Sequence, residues 1–554
     1  MKIKNYTTFF SLLILLFSVL LSYFSLMPGN IKPLNASEVE FSAERASLHI
    51  REMSKTIHPS GSEEIKLVKE YLTSQLEKLG LDFQIQSDSG KARWYLNKKI
   101  EVINIVSRIK GTGQGKALLI LAHYDSEKSS YGAADDASGI ATILEAIRAY
   151  LSTGKKSKND IIIHFTDGEE QGMLGSKLFA NEHPWAKDVG FTINLEARGT
   201  CGPSFTLVET NGGNAYMIGL YSKAGLKYPL GTSLFYSIYN KDVPNDGDSR
   251  ILREKLDVDG FLFAFMDGHY NYHRSTDNYA NVSLKSVQHQ GSYLLPLINA
   301  FANTNLSQLK TQKDVVFFNL PVLGMVKFSY ALIVPILLIS ILSFIGLIIY
   351  GFHLKRLSWK AIGLGFLANF LAILISGFIG FISVKVFPVL NSSRFPENGH
   401  LITLALVLIC IAIYVQLVTR FCRSQSSIAS YLIAPILLWI LLNIPVAIFL
   451  KGAWYLIIPV VFSLLSLLLI FRNNSQTIIS NTLLAIQLIL ILAPMIKFLP
   501  LAIGPRLIIS STVLITLMMG LLTGVVTQFR FKNIISVSLF VIGLGVVVYF
   551  KIIS

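Results

Sequence analysis

Hydrophobic positions along this chain follow two regimes. Between residues 40 and 310 they are periodic and broken up by polar residues. "SGSEEIKLVKEYLTSQLEKLG" carries apolar residues at helical spacing, with Ser62 as N-cap, acids in the first turn and Gly80 as the stop. "KALLILAHYD", "DIIIHFTD" and "GFTINLEA" are short apolar runs rich in branched residues, as strands buried on both faces require. Between the first two, "SGIATILEAIRAYL" reads as an amphipathic helix. The alternation predicts crossover units and an α/β fold, a mostly parallel twisted sheet sandwiched by helices.

From about 329 the polar interruptions largely cease. Eight apolar runs follow, near 329–350, 361–383, 401–419, 428–450, 453–471, 477–496, 505–527 and 533–550. A bilayer crossing takes about 20 residues, so these predict an all-α polytopic membrane domain. Residues 8–26, "TFFSLLILLFSVLLSYFSL", add a further run behind Lys2 and Lys4. It exceeds the ~7–15-residue core of a cleaved signal peptide and no small-x-small site directly follows, which favours a retained anchor. The expected organisation is an anchor over 1–30, an extracytoplasmic α/β domain over 31–320 and a membrane domain over 321–554.

The net charge of +15 changes this picture little. All 34 acidic residues except Glu397 lie in 28–328, where 33 basic residues balance them. The excess punctuates apolar runs, which is how membrane topology is written. A nucleic-acid footprint needs basic charge clustered on a polar domain, so no nucleic-acid partner is expected. With a cytoplasmic N-terminus, ten Lys and Arg fall at cytoplasmic ends and loops against six opposite, which places the α/β domain outside the cytoplasm. The spans hold almost no ionisable groups, which argues against a transporter. Cys201 is alone in the polar segment, so no disulfide framework forms there. Richness in Ile, Lys and Asn points to a bacterial inner membrane; a eukaryotic chain would sit in the endoplasmic reticulum or vacuole membrane.

Acids and histidines gather at the predicted strand ends. "LLILAHYD" closes on His123 and Asp125, "GAADDASG" follows with Asp135 and Asp136, "IIIHFTDGEE" closes on Glu169 and Glu170, "TINLEA" on Glu196, and "DGHYNYHRSTDNY" supplies His273, with His269 as a rival. In an open α/β sheet, ligands bind outside the carboxyl ends of the strands, so these distant residues converge on one rim. Each has a bland alternative. "ADDASG" alone is an N-cap and loop, "EE" before a glycine a solvated helix start, and Glu196 a partner for Arg198. Arg250, in "NDGDSRIL", either meets a substrate carboxylate or sits in a solvated turn. Jointly and in order, imidazoles and carboxylates without thiolate suit Zn²⁺, and paired metals ~3.5–4 Å apart are typical of hydrolytic sites. Metals lower the pKa of a shared water while a free carboxylate accepts its proton.

The runs His123-Tyr-Asp125, Gly132 to Gly139 with Asp135-Asp136, and Asp167-Gly-Glu169-Glu170-Gln-Gly172 resemble the M28 family of zinc peptidases. "ERASLHIREMSKTIHPSGSEE", "INLEARG" and "YHRSTDNY" are similar to its endoplasmic-reticulum metallopeptidase branch, in which an anchor precedes and a multi-span region follows the peptidase domain. The resemblance implies a zinc exopeptidase-like fold and two Zn²⁺ per chain. His123, Asp135 and Glu196 would hold one, Asp135, Glu170 and His273 the other. Glu169 would be the general base and Asp125 would orient His123. It further implies a peptide or protein substrate, an aminopeptidase activity and the lipid bilayer as the other partner; the sequence sets no oligomeric state. Two other readings compete: a glutaminyl-cyclase-like transferase with one zinc, and a non-catalytic receptor or chaperone.

Overall fold

The computed structural model describes residues 2–91, 99–239, 247–424, 427–472, 478–529 and 531–553. These divide into a compact unit over Ser25–Phe328 and a second made of Met1–Phe24 with Ser329–Ser554.

In the first unit, strands β1 (Phe83–Lys91), β2 (Lys99–Ile109), β3 (Ala117–His123), β4 (Ile161–Thr166), β5 (Val189–Ala197), β6 (Cys201–Glu209) and β7 (Gly260–Asp267) form one sheet in the order β1-β2-β4-β3-β5-β7-β6. Its centre, β4-β3-β5-β7, is parallel, and antiparallel β1, β2 and β6 extend the margins. A hairpin, β8 (Val315–Leu320) and β9 (Gly324–Ser329), stands apart.

Every residue of β3 and β4 is buried because both faces are covered. Alternation sorts the side chains. Leu118, Ile120, Ala122, Ile161, Ile163 and Phe165 share one core, and Leu119, Leu121 and Ile162 another. Helices α1 (Lys2–Phe24, in the second unit), α2 (Ala43–Met53), α3 (Glu63–Lys78), α4 (Ala137–Ser152), α5 (Leu174–Glu182), α6 (Ala215–Tyr221), α7 (Ser233–Tyr239), α8 (Asp248–Leu256) and α9 (Leu284–Phe301) complete the set up to the hairpin. The first core packs on α2, α4 and α9; the second takes Phe179 from α5 and Leu252 from α8. Each fully buried large side chain contributes about 1.5–3 kcal/mol. Ser62 caps α3 by accepting from the Ile65 N–H, with Glu63 and Glu64 in the first turn, and Gly80 follows the helix at φ +70°.

In the second unit, eight helices among the described residues are long and apolar enough to cross a membrane, from Tyr6–Phe24 to Lys532–Phe550. Tyr23 in α1 donates its hydroxyl to the carbonyl of Ala493. The run near 505–527, expected as one span, differs. It is a 14-residue helix, Ile508–Leu521, then a four-residue one, Thr523–Val526. Even with the 3-10 turn Pro505–Leu507 leading into it, the apolar helix Pro505–Leu521 is shorter than the roughly 20 residues of a bilayer crossing. Thr523 turns its hydroxyl back on the Gly520 carbonyl where the helix breaks.

Candidate metal centre

The five proposed ligands meet. His123 ends β3, and its Nε2 lies 3.1 Å from Asp135 Oδ1 and 3.8 Å from Glu196 Oε2. Glu196 is near the end of β5, two residues past Asn194, which pairs with Leu121, so His123 and Glu196 extend adjacent parallel strands on the same face. His273 Nε2 lies 3.2 Å from Asp135 Oδ2 and 3.0 Å from Glu170 Oε1. Asp135 therefore turns one oxygen to each histidine. Donor atoms of His123, Asp135 and Glu170, and of His123, Asp136 and Glu196, fall within 4.8 Å of one another; neither group includes His269 or His273, and His273 joins the site through its contacts to Asp135 and Glu170.

Local sequence puts these groups there. Gly168, at φ +75°, turns the chain out of β4, and its missing Cβ leaves room for Leu174. The turn brings the Glu169 and Glu170 N–H groups onto the two oxygens of Asp125, at 3.1 and 3.2 Å. Asp125 also lies 3.4 Å from His123 Nδ1, which contacts the Asp125 carbonyl at 2.9 Å. One carboxylate thus orients His123 and fixes the double-glutamate turn. In "ADDASG" the two aspartates part: Asp136 caps α4 by accepting from Gly139 N–H, while Asp135 faces the two histidines. The Asp135–Asp136 peptide is cis. Arg198, offered as a structural partner for Glu196, makes no ion pair among the described residues. The Arg250 segment is the start of helix α8 rather than a turn, with Arg250 3.9 Å from Glu254; Asn245 and Asp246 of that stretch lie outside the described residues.

Electrostatically the site is short of positive charge. Burial pushes Glu170 up to about 7 and Glu196 up to about 8, with Asp135 adding to both. Glu169 is driven well above the carboxylate range by burial, Glu196 and Glu170 adding and His123 opposing. Burial lowers His273, but hydrogen bonds to Asp135 and Glu170 outweigh it and bring it up to about 10. His123 is likewise raised by Asp125 and Asp135 against its burial. Asp136 Oδ2 is buried with no hydrogen-bond partner. Oxygen and imidazole donors, crowded, buried and under-neutralised, fit Zn²⁺.

Four residues escape a reading from sequence. Asp277 accepts from the N–H groups of Ala134 (2.7 Å) and Asp135 (3.3 Å) and from Ser130 Oγ. Asp248, fully buried at the start of α8, accepts from the Thr166 hydroxyl beside the centre. Ser60, in the "IHPSGSEE" stretch, donates to Asp167, which also accepts from Ile103 N–H. Tyr272 stacks on His273 at 3.7 Å. Only Asp277 has a signal in sequence, as the next acid after His273.

A parallel-centred sheet with two histidines and three carboxylates gathered near its strand ends defines an α/β domain with a candidate metal centre. Residues 104–298 match the model of Peptidase family M28, so the chain carries an M28 peptidase domain. Among relatives, a vacuolar membrane protease of Candida dubliniensis is 28% identical over 353 residues, 60% of this chain and 37% of its own. Endoplasmic reticulum metallopeptidase 1 of Mus musculus is 28% identical over 280 residues, 48% of this chain and 30% of its own. The chain thus spans about a third of the length of these relatives. Among solved structures, a zinc aminopeptidase from Bacillus subtilis is 16% identical with a TM-score of 0.40, covering 50% of this chain and 98% of that one. This last likeness carries no part of the functional reading.

Proposed function

We propose that this chain is a multi-pass membrane metallopeptidase that holds two Zn²⁺ and acts as an aminopeptidase on peptides or proteins. The carrying observation is Asp135, whose two oxygens lie 3.1 and 3.2 Å from histidines of opposite clusters, as a carboxylate shared by two cations would. His123, Asp135 and Glu196 would hold one ion, and Asp135, Glu170 and His273 the other. When bound, zinc supplies Lewis acidity and lowers the pKa of water.

The remaining work belongs to the chain. Asp125 keeps His123 oriented through Nδ1 and locks the turn that separates Glu169 from Glu170. Glu169 is the general base: it would accept the proton of the attacking water and return it to the leaving amine. The amino-terminal direction is carried over from the M28 resemblance. The domain plan is an anchor over 1–30, the peptidase over 31–320 and the membrane domain over 321–554. The peptidase faces the extracytoplasmic side of a bacterial inner membrane, supported by the ten-to-six bias of Lys and Arg.

The test is zinc analysis of the full-length protein in detergent, with a panel of free-amine and N-blocked peptides. Two zincs per chain and cleavage of free-amine peptides are expected. One zinc with cyclisation of N-terminal glutamine would replace the reading by a transferase. Full zinc loading with no turnover would replace it by a binding role.

A further inference from the structure

The β8–β9 hairpin ends in a tip ill suited to water. Pro321, Val322 and Leu323 join the two strands, and Val322 is 94% and Leu323 72% exposed. Val322 also holds φ +70°, a left-handed backbone that a β-branched residue rarely adopts. Two large apolar side chains are thus presented outward on a strained turn, a combination that persists where it serves a function.

The tip stands where the chain meets its membrane spans. It shares a cavity of about 350 Å³ with Ser25, Lys227, Tyr228 and Asn319. Ser25 is the first residue after α1, of which Tyr6–Phe24 is long and apolar enough to cross a bilayer. At the far end of the six-residue strand β9, about 20 Å along, the chain reaches Ser329, and the next helix of that length begins at Tyr330. Both covalent links from the α/β domain to membrane-length helices therefore leave within one strand's length of the tip.

The charge of this corner suits lipid. Every residue lining the cavity comes from 1–37, 211–241 or 315–396, and these segments contain no Asp or Glu. Lys223, Lys227 and Lys327 are exposed. The Lys327 amino group lies 3.3 Å from where a Cβ on Gly219 of α6 would stand, and partial burial and then the charge of Lys223 lower its pKa, so the two cations are neighbours. Apolar side chains that enter the acyl boundary, flanked by lysines that meet phosphates, make a membrane-surface contact.

We propose that the β8–β9 tip docks the α/β domain on the bilayer, with Val322 and Leu323 entering the headgroup–acyl boundary and Lys223, Lys227 and Lys327 pairing with anionic lipid phosphates. The proposal rests on the membrane placement of the spans and is independent of the peptidase chemistry.

The test uses full-length protein carrying Cys201→Ser, whose two remaining cysteines are buried, in nanodiscs of phosphatidylcholine with or without phosphatidylglycerol. Leu323→Cys takes a nitroxide label, Val322→Cys is a second reporter, and Leu67→Cys is the control. Leu67 is 63% exposed on α3, among Glu63, Glu64 and Glu70. Collisions with oxygen, which concentrates in lipid, and with a polar nickel chelate, which stays in water, report depth. In the mixed nanodiscs the tip labels should favour oxygen and the Leu67 label nickel. Leaving out phosphatidylglycerol, or combining Lys223→Gln, Lys227→Gln and Lys327→Gln, should shift the tip labels towards water. Tip labels as open to nickel as the Leu67 label overturn the proposal, and so does immersion that neither change moves. Spin–spin broadening between tip labels, lost on dilution with unlabelled protein, would assign the tip to a second copy and overturn it too. Alkaline carbonate washing of cell membranes separates the premises. A chain that washes off overturns the membrane placement, whereas a chain that stays with its tip in water overturns the docking alone.

Discussion

The carboxylate of Asp277 accepts the backbone N–H of Asp135, 142 positions earlier in the chain. It also accepts the Ala134 N–H at 2.7 Å and the Ser130 hydroxyl, and Ala133 N–H reaches the Asp277 carbonyl. The loop that presents Asp135 is thereby tied to the loop that presents His273, four residues before Asp277. Loops carry no ladder of their own, so their ligands are placed only as well as such ties hold them. Asp277→Ala leaves buried N–H groups unpaired and is expected to weaken zinc binding about 10–100-fold, the usual cost of losing a group that orients a ligand. Asp277→Asn, which keeps one acceptor oxygen, should lose less. Competition with a chelator of known affinity measures both, and wild-type affinity in the alanine variant would show that Asp277 places nothing.

The adjacent glutamates should respond oppositely to the same change. Glu170 Oε1 lies 3.0 Å from His273 Nε2, inside the second cluster. Glu169 takes no part in either group of clustered donor atoms. Glu169→Gln is expected to slow peptide hydrolysis by about 10²–10⁴ with zinc content unchanged, the range for loss of a general base. Glu170→Gln should lower the zinc content. Mass spectrometry of the metal and initial rates on one substrate decide it. Zinc lost from Glu169→Gln would exchange the two roles.

Much of this was legible in the sequence because the signals are local. β3 and β4 are buried throughout since helices cover both faces, and a buried, largely apolar run of that kind seldom ends in His123 or Glu169-Glu170 unless a cation holds them. The margins were not legible. β1, "FQIQSDSGK", lies at the sheet's edge and needs no apolar run, and β6 carries Gly202 and Pro203. Asp248 begins a helix whose first residues spell a turn, and Asp277 acts only through a partner 142 residues away. The run at 505–527 has a span's composition, and its break at Leu522 depends on side-chain-to-backbone bonding that hydropathy does not register.

His289 makes the domain's stability depend on pH. Buried on α9, its Nδ1 accepts from Ser204 N–H at 3.0 Å and its Nε2 donates to the Tyr228 carbonyl at 2.9 Å, so the neutral ring is satisfied. Burial brings it down to about 4 from an ordinary 6.5, the Tyr228 carbonyl opposing. The unfolded chain then binds a proton that the folded chain refuses. Stability from this group is complete above about pH 6.5 and is lost as the pH falls towards 4, at about 1.4 kcal/mol per pH unit. His164, brought down to about 3 by burial and His183, acts in the same direction. The denaturant midpoint followed at Trp185 fluorescence should fall steadily from pH 6.5 to 5. A flat midpoint would mean that neither ring stays neutral at a cost to the unfolded chain.

Cys201 offers a test of topology that needs no added probe. The chain has three cysteines; Cys410 and Cys422 are buried, while Cys201, at the start of β6, is partly exposed. A thiol reagent that cannot cross membranes needs both an exposed sulfur and the right side of the bilayer. Applied to intact cells whose outer barrier has been removed, a charged maleimide should label the wild type and leave Cys201→Ser unlabelled. Lysed cells should give no more label than intact ones, as the proposed orientation requires. Labelling of the wild type that appears only after lysis would place Cys201 in the cytoplasm. It would reverse the orientation drawn from the Lys and Arg bias, and zinc supply and peptide substrate would then both have to be cytoplasmic.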